Sequence, residues 1–416
     1  MNKKCTAFLC LLNVALAHSV WAKVSISSAQ PIPRDPVVTK WQRSPIISNG
    51  ELVYGDYSRL RTAQGLRWVP LIKIVSVSKG RPNRARAYQV QGLGEADRVL
   101  DVQFSPNGRS VLFKTGFESS SYSTFQFHVW NRDTNTVRSG PNDLLYRATA
   151  WAPNSRQVAY ISGGVDLEGN DTPRDPLKLM VYDVATGKSR FVAQNPMVRL
   201  FAWTPQNTLL YSVKREGEKN RSFNADIYAL GSNTLKPRLF LQNAWSPFVS
   251  KSGRIIAFVA WPEAEGSSSG QNQIGFYQYN RDTKQRELLR SSFSSTSFSG
   301  FQWGTNDTPI FLRTIQRSPQ GRAEVIKLDG NGNGKRVALL SATDYEAIAR
   351  PTTQPQIQAL PQSANALLVR LSEFSDGDAT FYNEDVSLAA VDTNSGKVFR
   401  LVKIRNPNGL DWRGTK

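Results

Sequence analysis

Cysteine and histidine are both scarce in this chain of 416 residues. Cys5 and Cys10 are its only cysteines, and both lie in the first 22 residues, which we expect to be removed. The remaining chain could then form no disulfide, thiolate metal site or cysteine nucleophile. His128 is the only histidine after residue 22, which excludes multi-histidine metal sites. No Gly-x-Ser-x-Gly motif accompanies it, so a Ser-His-Asp triad is not indicated. We expect no cofactor and no enzymatic activity.

Long apolar runs are absent as well, and nothing in the sequence is long enough to span a bilayer as a helix. The run Ala7–Ala17 follows Lys3 and Lys4 and precedes Val20-Trp21-Ala22, which has small residues where a signal peptidase reads. This pattern predicts a cleavable signal peptide, residues 1–22, with cleavage after Ala22. We therefore expect a periplasmic or secreted protein without a transmembrane segment in the mature chain. Export argues against nucleic acid as the partner.

Acidic residues are few relative to basic ones. The chain has 52 lysines and arginines and 33 aspartates and glutamates, a net charge of +19. Removal of Lys3 and Lys4 leaves 50 cations against 33 acids, a net charge of +17. A protein with this charge is attracted to anionic partners such as acidic glycans, phosphate-bearing polymers or lipid headgroups.

What the sequence does contain is a repeated pattern of two alternating apolar strands around a tight polar turn. The passage Val102–Lys114 shows it: Val102 and Phe104 alternate with polar residues, Pro106-Asn107-Gly108 forms the turn, and Val111–Phe113 is apolar. Seven such turns recur at intervals of 46 to 58 residues, centred on Asn49, Asn107, Asn154, Gln206, Ser252, Asn306 and Ser363. A variable loop and a second hairpin follow each, so every unit holds four strands.

A four-stranded repeat near 50 residues is typical of a β-propeller blade, which is stable only when its faces pack against neighbouring blades. Seven units predict an all-β propeller with seven four-stranded blades. A six-bladed ring is the alternative, because the first and last units are the least regular. We assign 23–43 to a lead-in segment, 44–405 to the propeller and 406–416 to a polar tail. Val24–Ile26 is our candidate for a strand that closes the ring.

The turn sequences resemble the WD40-like (PD40) propeller repeat of TolB-like proteins. Phe104–Arg109, Trp151–Arg156 and Trp203–Gln206 are similar to its aromatic-Ser-Pro-Asp-Gly-Lys core, and the resemblance extends over residues 40–405. It implies the blade architecture and, as in TolB, a place in a periplasmic envelope complex. The same repeat occurs in peptidase propellers. We expect neither the amino-terminal α/β domain of TolB before the first blade nor an α/β-hydrolase domain after the last.

Two motifs have a structural and a functional interpretation. His128 shares a strand face with Gln126 and Trp130, which favours an interblade or surface position over catalysis. Asp329–Gly334 matches the first half of a calcium-binding loop, but Leu340 stands where the bidentate glutamate should be. A single carboxylate gives little charge to hold a divalent ion, so a glycine-rich turn is favoured and no metal site is predicted.

Two acidic loops leave an enzymatic alternative open. Asp166–Asp171 and Asp376–Asp385 each follow the second strand of a unit and carry several carboxylates. Paired carboxylates can catalyse glycoside hydrolysis, so a carbohydrate-active enzyme is one alternative function. Solvated loops are the simpler interpretation.

The placement of charge predicts a binding surface. In a propeller blade, the turns between the first and second strands and between the third and fourth strands share one end of the ring, which we call the hairpin-turn face. The candidate partner-binding cations at that face are Arg81, Arg84, Arg86, Arg109, Arg156, Lys251, Arg254, Lys335 and Arg336. The alternative is that turns carry lysine and arginine for solubility alone.

The long loops at the opposite end form a rival surface, because loops on a rigid scaffold often carry specificity. Their aromatic side chains Tyr57, Trp68 and Trp261 could stack on sugars or contact a protein. The function that the sequence favours is non-enzymatic: an exported propeller that binds an envelope protein or an anionic polymer or glycan. A TolB-like role in an envelope complex is the second alternative.

Overall fold

We analysed a computed structural model of the chain. It describes residues 23–32, 35–62, 65–93, 98–118, 123–141, 144–163, 177–194, 196–215, 225–231, 236–260, 274–293, 300–315, 322–328, 334–340, 356–359, 366–374, 384–404 and 408–414.

The described chain begins with two short strands and one short helix. These are β1 (Ser25–Ile26), β2 (Gln30–Pro31) and α1 (Pro36–Lys40). Three long antiparallel strands follow: β3 (Gly50–Thr62), β4 (Gly65–Ser78) and β5 (Arg81–Gln91). No helix among the described residues has the length and apolar character needed to cross a membrane.

The remaining strands follow one another in groups of four. The first three groups are β6 (Arg98–Phe104), β7 (Ser110–Glu118), β8 (Ser123–Asn131), β9 (Thr136–Ser139); β10 (Leu144–Trp151), β11 (Gln157–Ser162), β12 (Lys178–Asp183), β13 (Lys188–Gln194); and β14 (Pro196–Trp203), β15 (Leu209–Lys214), β16 (Ala225–Leu230), β17 (Arg238–Leu241).

The next three groups are β18 (Trp245–Val249), β19 (Ile255–Ala260), β20 (Ile274–Asn280), β21 (Arg286–Phe293); β22 (Gly300–Trp303), β23 (Pro309–Ile315), β24 (Arg322–Leu328), β25 (Gly334–Leu340); and β26 (Gln356–Ala359), β27 (Ala366–Phe374), β28 (Glu384–Asp392), β29 (Val398–Ile404). A 3₁₀ turn, Thr305–Asp307, separates β22 from β23, and β30 (Asn408–Gly414) ends the described chain.

These strands form a seven-bladed β-propeller, as the repeat predicted. Blades 2 to 7 are β6–β9, β10–β13, β14–β17, β18–β21, β22–β25 and β26–β29, each an antiparallel meander. In blades 2 to 7 the first strand is the innermost, and the first strands of neighbouring blades contact one another from β10 to β26. Five predicted turn centres lie between a first and a second strand: Asn107, Asn154, Gln206, Ser252 and Asn306. Ser363 lies outside the described residues.

Ring closure differs from the sequence-based expectation. Blade 1 has the strand order β30-β3-β4-β5, so its innermost strand comes from the carboxyl-terminal end of the chain. The segment 406–416, expected to be a polar tail, therefore contains the closing strand. Val24–Ile26 does not close the ring, because β1 pairs with the outer strand β5 through Ser25–Gln91 and Ile26–Val90. The turn predicted at Asn49 does not join two strands. Pro45–Ile47, which precedes it, forms no strand, and β30 occupies the edge of β3 instead.

A tight contact fixes the register of the closing strand. Gly50 of β3 pairs with Gly414, and Leu52 pairs with Trp412. A Cβ atom on Gly50 would lie 2.2 Å from the indole of Trp412, so only glycine fits beneath that ring. Trp412 is 4% exposed and packs in the core between blade 1 and blade 7.

The core is divided among the interfaces between neighbouring blades, as expected for sheets that cannot bury their own faces alone. One cluster joins Val53 and Ile72 of blade 1 to Val102 and Phe113 of blade 2. Others join blade 2 to blade 3, blade 3 to blade 4 and so on around the ring. Burial of this apolar surface stabilises each sheet against its neighbours.

Helix α1 is held against blade 1 by a buried ionic cluster. Asp35 is fully buried and caps the helix, accepting a hydrogen bond of 2.9 Å from the Val37 amide. Its other oxygen accepts a 2.7 Å hydrogen bond from the Tyr54 hydroxyl and lies 3.4 Å from Lys73 Nζ, which also pairs with Asp56 at 2.5 Å. The lead-in segment is thus an integral part of the propeller.

One predicted loop is instead regular structure. Strands β3 and β4 pair antiparallel through most of the stretch expected as a loop, from Tyr57–Pro70 to Thr62–Gly65. Both acidic loops have most of their residues outside the described ranges, as does the glycine-rich run beginning at Asp329.

Candidate functional site

The turns between first and second strands are rigid because their polar side chains satisfy the backbone. In the β6–β7 turn, Ser105 Oγ donates to the Ser110 carbonyl at 3.0 Å and accepts from the Ser110 amide at 2.9 Å. Asn107 Oδ1 accepts a 3.0 Å hydrogen bond from the Arg109 amide. Gly108 has φ 68° in the left-handed region, where glycine is unstrained. The Ser-Pro-Asn-Gly-Arg sequence thus specifies both the turn and the position of the arginine.

Equivalent turns of successive blades are linked to one another around the channel mouth. The Asn107 amide donates to Ser155 Oγ of the next blade at 3.0 Å, and the Asn154 amide donates to Asn207 Oδ1 at 3.0 Å. The Ser252 amide likewise donates to Asp307 Oδ1 at 3.3 Å. All three acceptors stand in the left-handed region, with φ of 59°, 58° and 54°. At each of these left-handed positions the side chain joins two blades.

The hairpin-turn face carries its cations on this fixed frame. Arg109, Arg156 and Arg254 occupy the same position in the turns of blades 2, 3 and 5, directly after the left-handed residue, and all three are exposed. Lys251 is exposed in the same turn as Arg254. Acidic side chains at the described turns of this face are fewer than the basic ones: Asp133, Asp183, Asp282, Asp307 and Asp392.

Four other cations predicted from the sequence lie on two different strands, β5 and β25. Arg81 lies beside the turn Lys79–Gly80 and Arg84 lies further along β5, and both are exposed. Lys335 and Arg336 are exposed at the start of β25, where Arg336 Nη1 donates to Glu324 Oε1 at 3.3 Å.

Of the aromatic candidates, Tyr57 belongs to β3 and Trp68 to β4, and their side chains are not among those described. Trp261 lies outside the described residues.

Arg86 and Arg109 are brought together by the fold. Both line a cleft of about 480 Å³ between blades 1 and 2, which opens at the hairpin-turn face. Its walls are formed by Ser27–Ala29, the outer strand β5, the two turns of blade 2, and Arg413 of the closing strand. Sequence separation hides this site, because its residues come from both ends of the chain.

At the base of the cleft one glutamate holds two arginines. Glu51 accepts two 2.9 Å hydrogen bonds from the Arg132 guanidinium, and Arg413 Nε donates to it at 2.7 Å. Burial alone would raise the pKa of Glu51, but the hydrogen bonds and charges of Arg132 and Arg413 hold it below its ordinary value. Both guanidiniums also lie over the Phe104 ring, at 5.6 and 5.3 Å from its centroid. Neither Glu51 nor Arg413 carries a sequence signal that predicts this role.

The only histidine of the described chain has a structural environment. His128 is fully buried on β8, with Nε2 2.7 Å from Thr115 Oγ1 and Nδ1 2.9 Å from Ser139 Oγ. Burial lowers the pKa of His128 to about 3, so the imidazole is neutral at physiological pH. Its two nitrogens are satisfied by hydroxyls, and no carboxylate orients it.

Within the described ranges, no group of three or more His, Cys, Asp or Glu side chains is placed to hold a metal ion. Most of Asp329–Gly334, the segment with the pattern of a half calcium-binding loop, lies outside those ranges.

A second, smaller cavity of about 220 Å³ lies along the inner strands of blades 4 to 6. Phe201, Phe248, Phe301 and Trp303 form its aromatic part. Phe248 and Phe301 contact each other with ring centroids 4.8 Å apart, and the Trp303 indole donates to the Phe248 carbonyl at 3.1 Å. These rings pack into the interblade core, so the cavity is part of the scaffold.

Comparison with known proteins supports the fold and leaves function open. No protein-family model matches the chain, and no curated protein matches it in sequence. A prolyl endopeptidase structure aligns with a TM-score of 0.54 at 11% identity, over 92% of this chain and 50% of the enzyme. Prolyl oligopeptidase B from Galerina marginata aligns with a TM-score of 0.51 at 11% identity, over 89% of this chain and 52% of the enzyme.

TolB from Acinetobacter baumannii also aligns, with a TM-score of 0.40 and 13% identity over 88% of this chain and 83% of TolB. The chain spans about half the length of the two peptidases. At these identities the likeness concerns the fold. The chain is thus a seven-bladed propeller whose structural neighbours include TolB and the propellers of peptidases.

Proposed function

We propose that this chain is a non-enzymatic, exported propeller scaffold that binds an anionic partner through its hairpin-turn face. The partner is an envelope protein with an acidic surface, or an anionic polymer or glycan. The observation that carries the proposal is the equivalent placement of Arg109, Arg156 and Arg254 on turns that are hydrogen-bonded internally and, in part, to the next blade.

Rigidity is what makes such an array effective. The Arg156 amide donates to Asn154 Oδ1 at 2.9 Å and the Arg254 amide to Ser252 Oγ at 3.0 Å, as in the Arg109 turn. A binding surface already ordered in the free protein avoids part of the entropy cost of association. Exposed guanidiniums attract anions over the range set by the ionic strength and can bind carboxylate, sulfate or phosphate groups with two parallel hydrogen bonds.

The test is binding of fluorescently labelled poly-L-glutamate to the mature chain, measured by anisotropy at low and at physiological salt. The double variant Arg156→Glu/Arg254→Glu should bind about tenfold more weakly, a loss of about 1.4 kcal/mol. The matched control is Lys178→Glu/Lys214→Glu, which makes the same change in net charge. Lys178 begins β12 and Lys214 ends β15, so both lie at the end of the ring opposite to the hairpin-turn face. The control should bind within about twofold of wild type.

Two results would contradict the proposal. Equal weakening in both double variants would mean that net charge alone governs binding. If the wild type showed no saturable binding to poly-L-glutamate or to dextran sulfate at low salt, the hairpin-turn face would not be a binding surface for polyanions. Thermal unfolding of all variants shows whether the fold is retained.

A further inference from the structure

The cleft between blades 1 and 2 differs from the rest of the hairpin-turn face because it is concave. Its volume of about 480 Å³ is within the usual range of small-ligand sites, about 300 to 1,000 Å³. Four guanidiniums line it: Arg86, Arg109, Arg132 and Arg413. Against them stand Asp133 in the lining and Glu51 beneath it, which leaves a net charge of +2.

Two of the four arginines are occupied by the protein itself. Arg132 and Arg413 share Glu51, and their remaining groups bind backbone carbonyls: Arg132 Nη1 donates to Gly108 at 3.0 Å and Arg413 Nη1 to Asn107 at 3.3 Å. A Cβ atom on Gly108 would overlap the Arg413 guanidinium and would displace it from the turn, and φ of 68° at this residue also favours glycine. These contacts fix the floor and one wall of the cleft.

The other two arginines lack a strong partner. Arg86 is half-buried, and among the described residues no carboxylate or carbonyl oxygen accepts a hydrogen bond from it. Among the described residues, Arg109 has one ion pair, with Asp133 at 3.7 Å; the two side chains are 75% and 60% exposed, so the pair contributes little energy. A partly desolvated guanidinium without an anion is unfavourable, and an anion bound beside it would relieve that cost.

The remaining lining suits an organic ligand. Tyr88 is half-buried beside Trp130, with ring centroids 4.6 Å apart, and its hydroxyl has no hydrogen-bond partner among the described residues. Ser28 and Asn107 add polar groups near the opening. The site thus combines two available cations, one from each blade, with an aromatic surface and neutral hydrogen-bonding groups.

We propose that the cleft between blades 1 and 2 binds a small anion that carries at least two phosphate or carboxylate groups, held between Arg86 and Arg109. This goes beyond a docking face for a polymer, because the site accepts one discrete molecule. Its central residue Arg86 lies in the cleft wall and is not needed for the turn arginines of blades 3 and 5 to act. A small anion could therefore bind even if the face binds no polymer.

The test uses isothermal titration calorimetry on the mature chain with two probes, pyrophosphate and citrate, which separate phosphate from carboxylate recognition. We expect saturable one-to-one binding of at least one probe. Arg86→Gln should weaken it about tenfold or more, since a bidentate charge-assisted contact is lost. Arg86→Lys keeps the charge but not the forked geometry, so its affinity for the probe should lie between those of the wild type and Arg86→Gln.

The matched control is Arg84→Gln, two residues along the same strand, where the side chain is exposed and outside the cleft. It should leave the affinity unchanged, as should Arg156→Glu/Arg254→Glu, whose effect belongs to polymer binding. Absence of saturable binding of either probe would overturn the proposal. So would equal weakening by Arg84→Gln and Arg86→Gln, or an unchanged affinity in a folded Arg86→Gln protein.

Discussion

At the scale of single residues, this protein shows how one carboxylate can fix the site where the two ends of the chain meet. Glu51 belongs to the first long strand, Arg413 to the closing strand and Arg132 to a turn of blade 2. All three are largely buried, with side-chain exposures of 14%, 25% and 20%. Removing the shared carboxylate leaves two guanidiniums close together without their anion.

We predict that Glu51→Gln lowers the free energy of unfolding by about 2 kcal/mol at pH 7, as expected for loss of hydrogen bonds to charged groups. The pKa of Glu51 is depressed in the folded protein, so its stabilisation is full above the unfolded pKa and is lost as pH falls through the folded value. The difference between wild type and variant should therefore shrink below about pH 4. Urea unfolding at several pH values measures it; a constant difference would contradict the assignment.

His128 gives a pH dependence of the same sign as that of Glu51, but in a higher pH range. Its folded pKa is about 3, far below that of an unfolded histidine, so between these values only the unfolded state is protonated. Stability should then rise with pH by about 1.4 kcal/mol per unit up to about pH 6.5. We predict that His128→Gln reduces the stability difference between pH 5 and pH 7 by about 2 kcal/mol. If chemical denaturation gave the same dependence of stability on pH for the wild type and the variant, folding would not depress the pKa of His128.

At the scale of elements, the tight turns do more than reverse the chain. In three blades, the short sequence that forms the turn also supplies the acceptor for a hydrogen bond from the preceding blade: Ser155 for the Asn107 amide, Asn207 for the Asn154 amide, and Asp307 for the Ser252 amide. In blade 2 the left-handed position is Gly108, and Arg413 makes the contact with that turn instead. Turn sequence and interblade contact are therefore coupled.

The closing strand β30 depends on one aromatic side chain. Trp412 is buried beneath blade 7 and covers Gly50, so we predict that Trp412→Ala lowers the unfolding free energy by about 3 kcal/mol or more. The matched control is Leu239→Ala, because Leu239 is 44% exposed on the outer strand β17 and should cost less than about 0.5 kcal/mol. Equal urea midpoints for both variants would show that β30 does not close the ring in solution.

At the scale of the whole molecule, stability comes from the ring and not from any one sheet. Each blade buries apolar surface against its two neighbours, and blade 1 is completed by strands from both ends of the chain. A break at one interface therefore exposes apolar surface on both sides of it.

We predict that deletion of residues 408–416 lowers the unfolding temperature and increases binding of a hydrophobic dye at 25 °C, because the edge of β3 loses its paired strand and β6 loses a strand packed against it. Differential scanning fluorimetry and dye fluorescence measure this. The control is deletion of 415–416 alone, which leaves the closing strand intact and should match wild type. A full deletion that unfolds like wild type would mean that the ring is held by other contacts.

The sequence by itself determined the blade. Period-two alternation around Pro-Asn-Gly-type turns, repeated seven times, is a local property, and local backbone preferences are enough to predict strand, turn and repeat. It also indicated which turn positions carry arginine.

Only the tertiary structure decided how the ring closes and which arginines share a site. Residues Glu51 and Arg413 are 362 positions apart. The sequence of β30 predicts a polar tail, and its pairing with β3 is what makes it a strand of the ring. Such contacts depend on a closed geometry in which each blade's position is fixed by its neighbours, and no local pattern records that geometry. The cleft that joins Arg86 to Arg109 exists for the same reason.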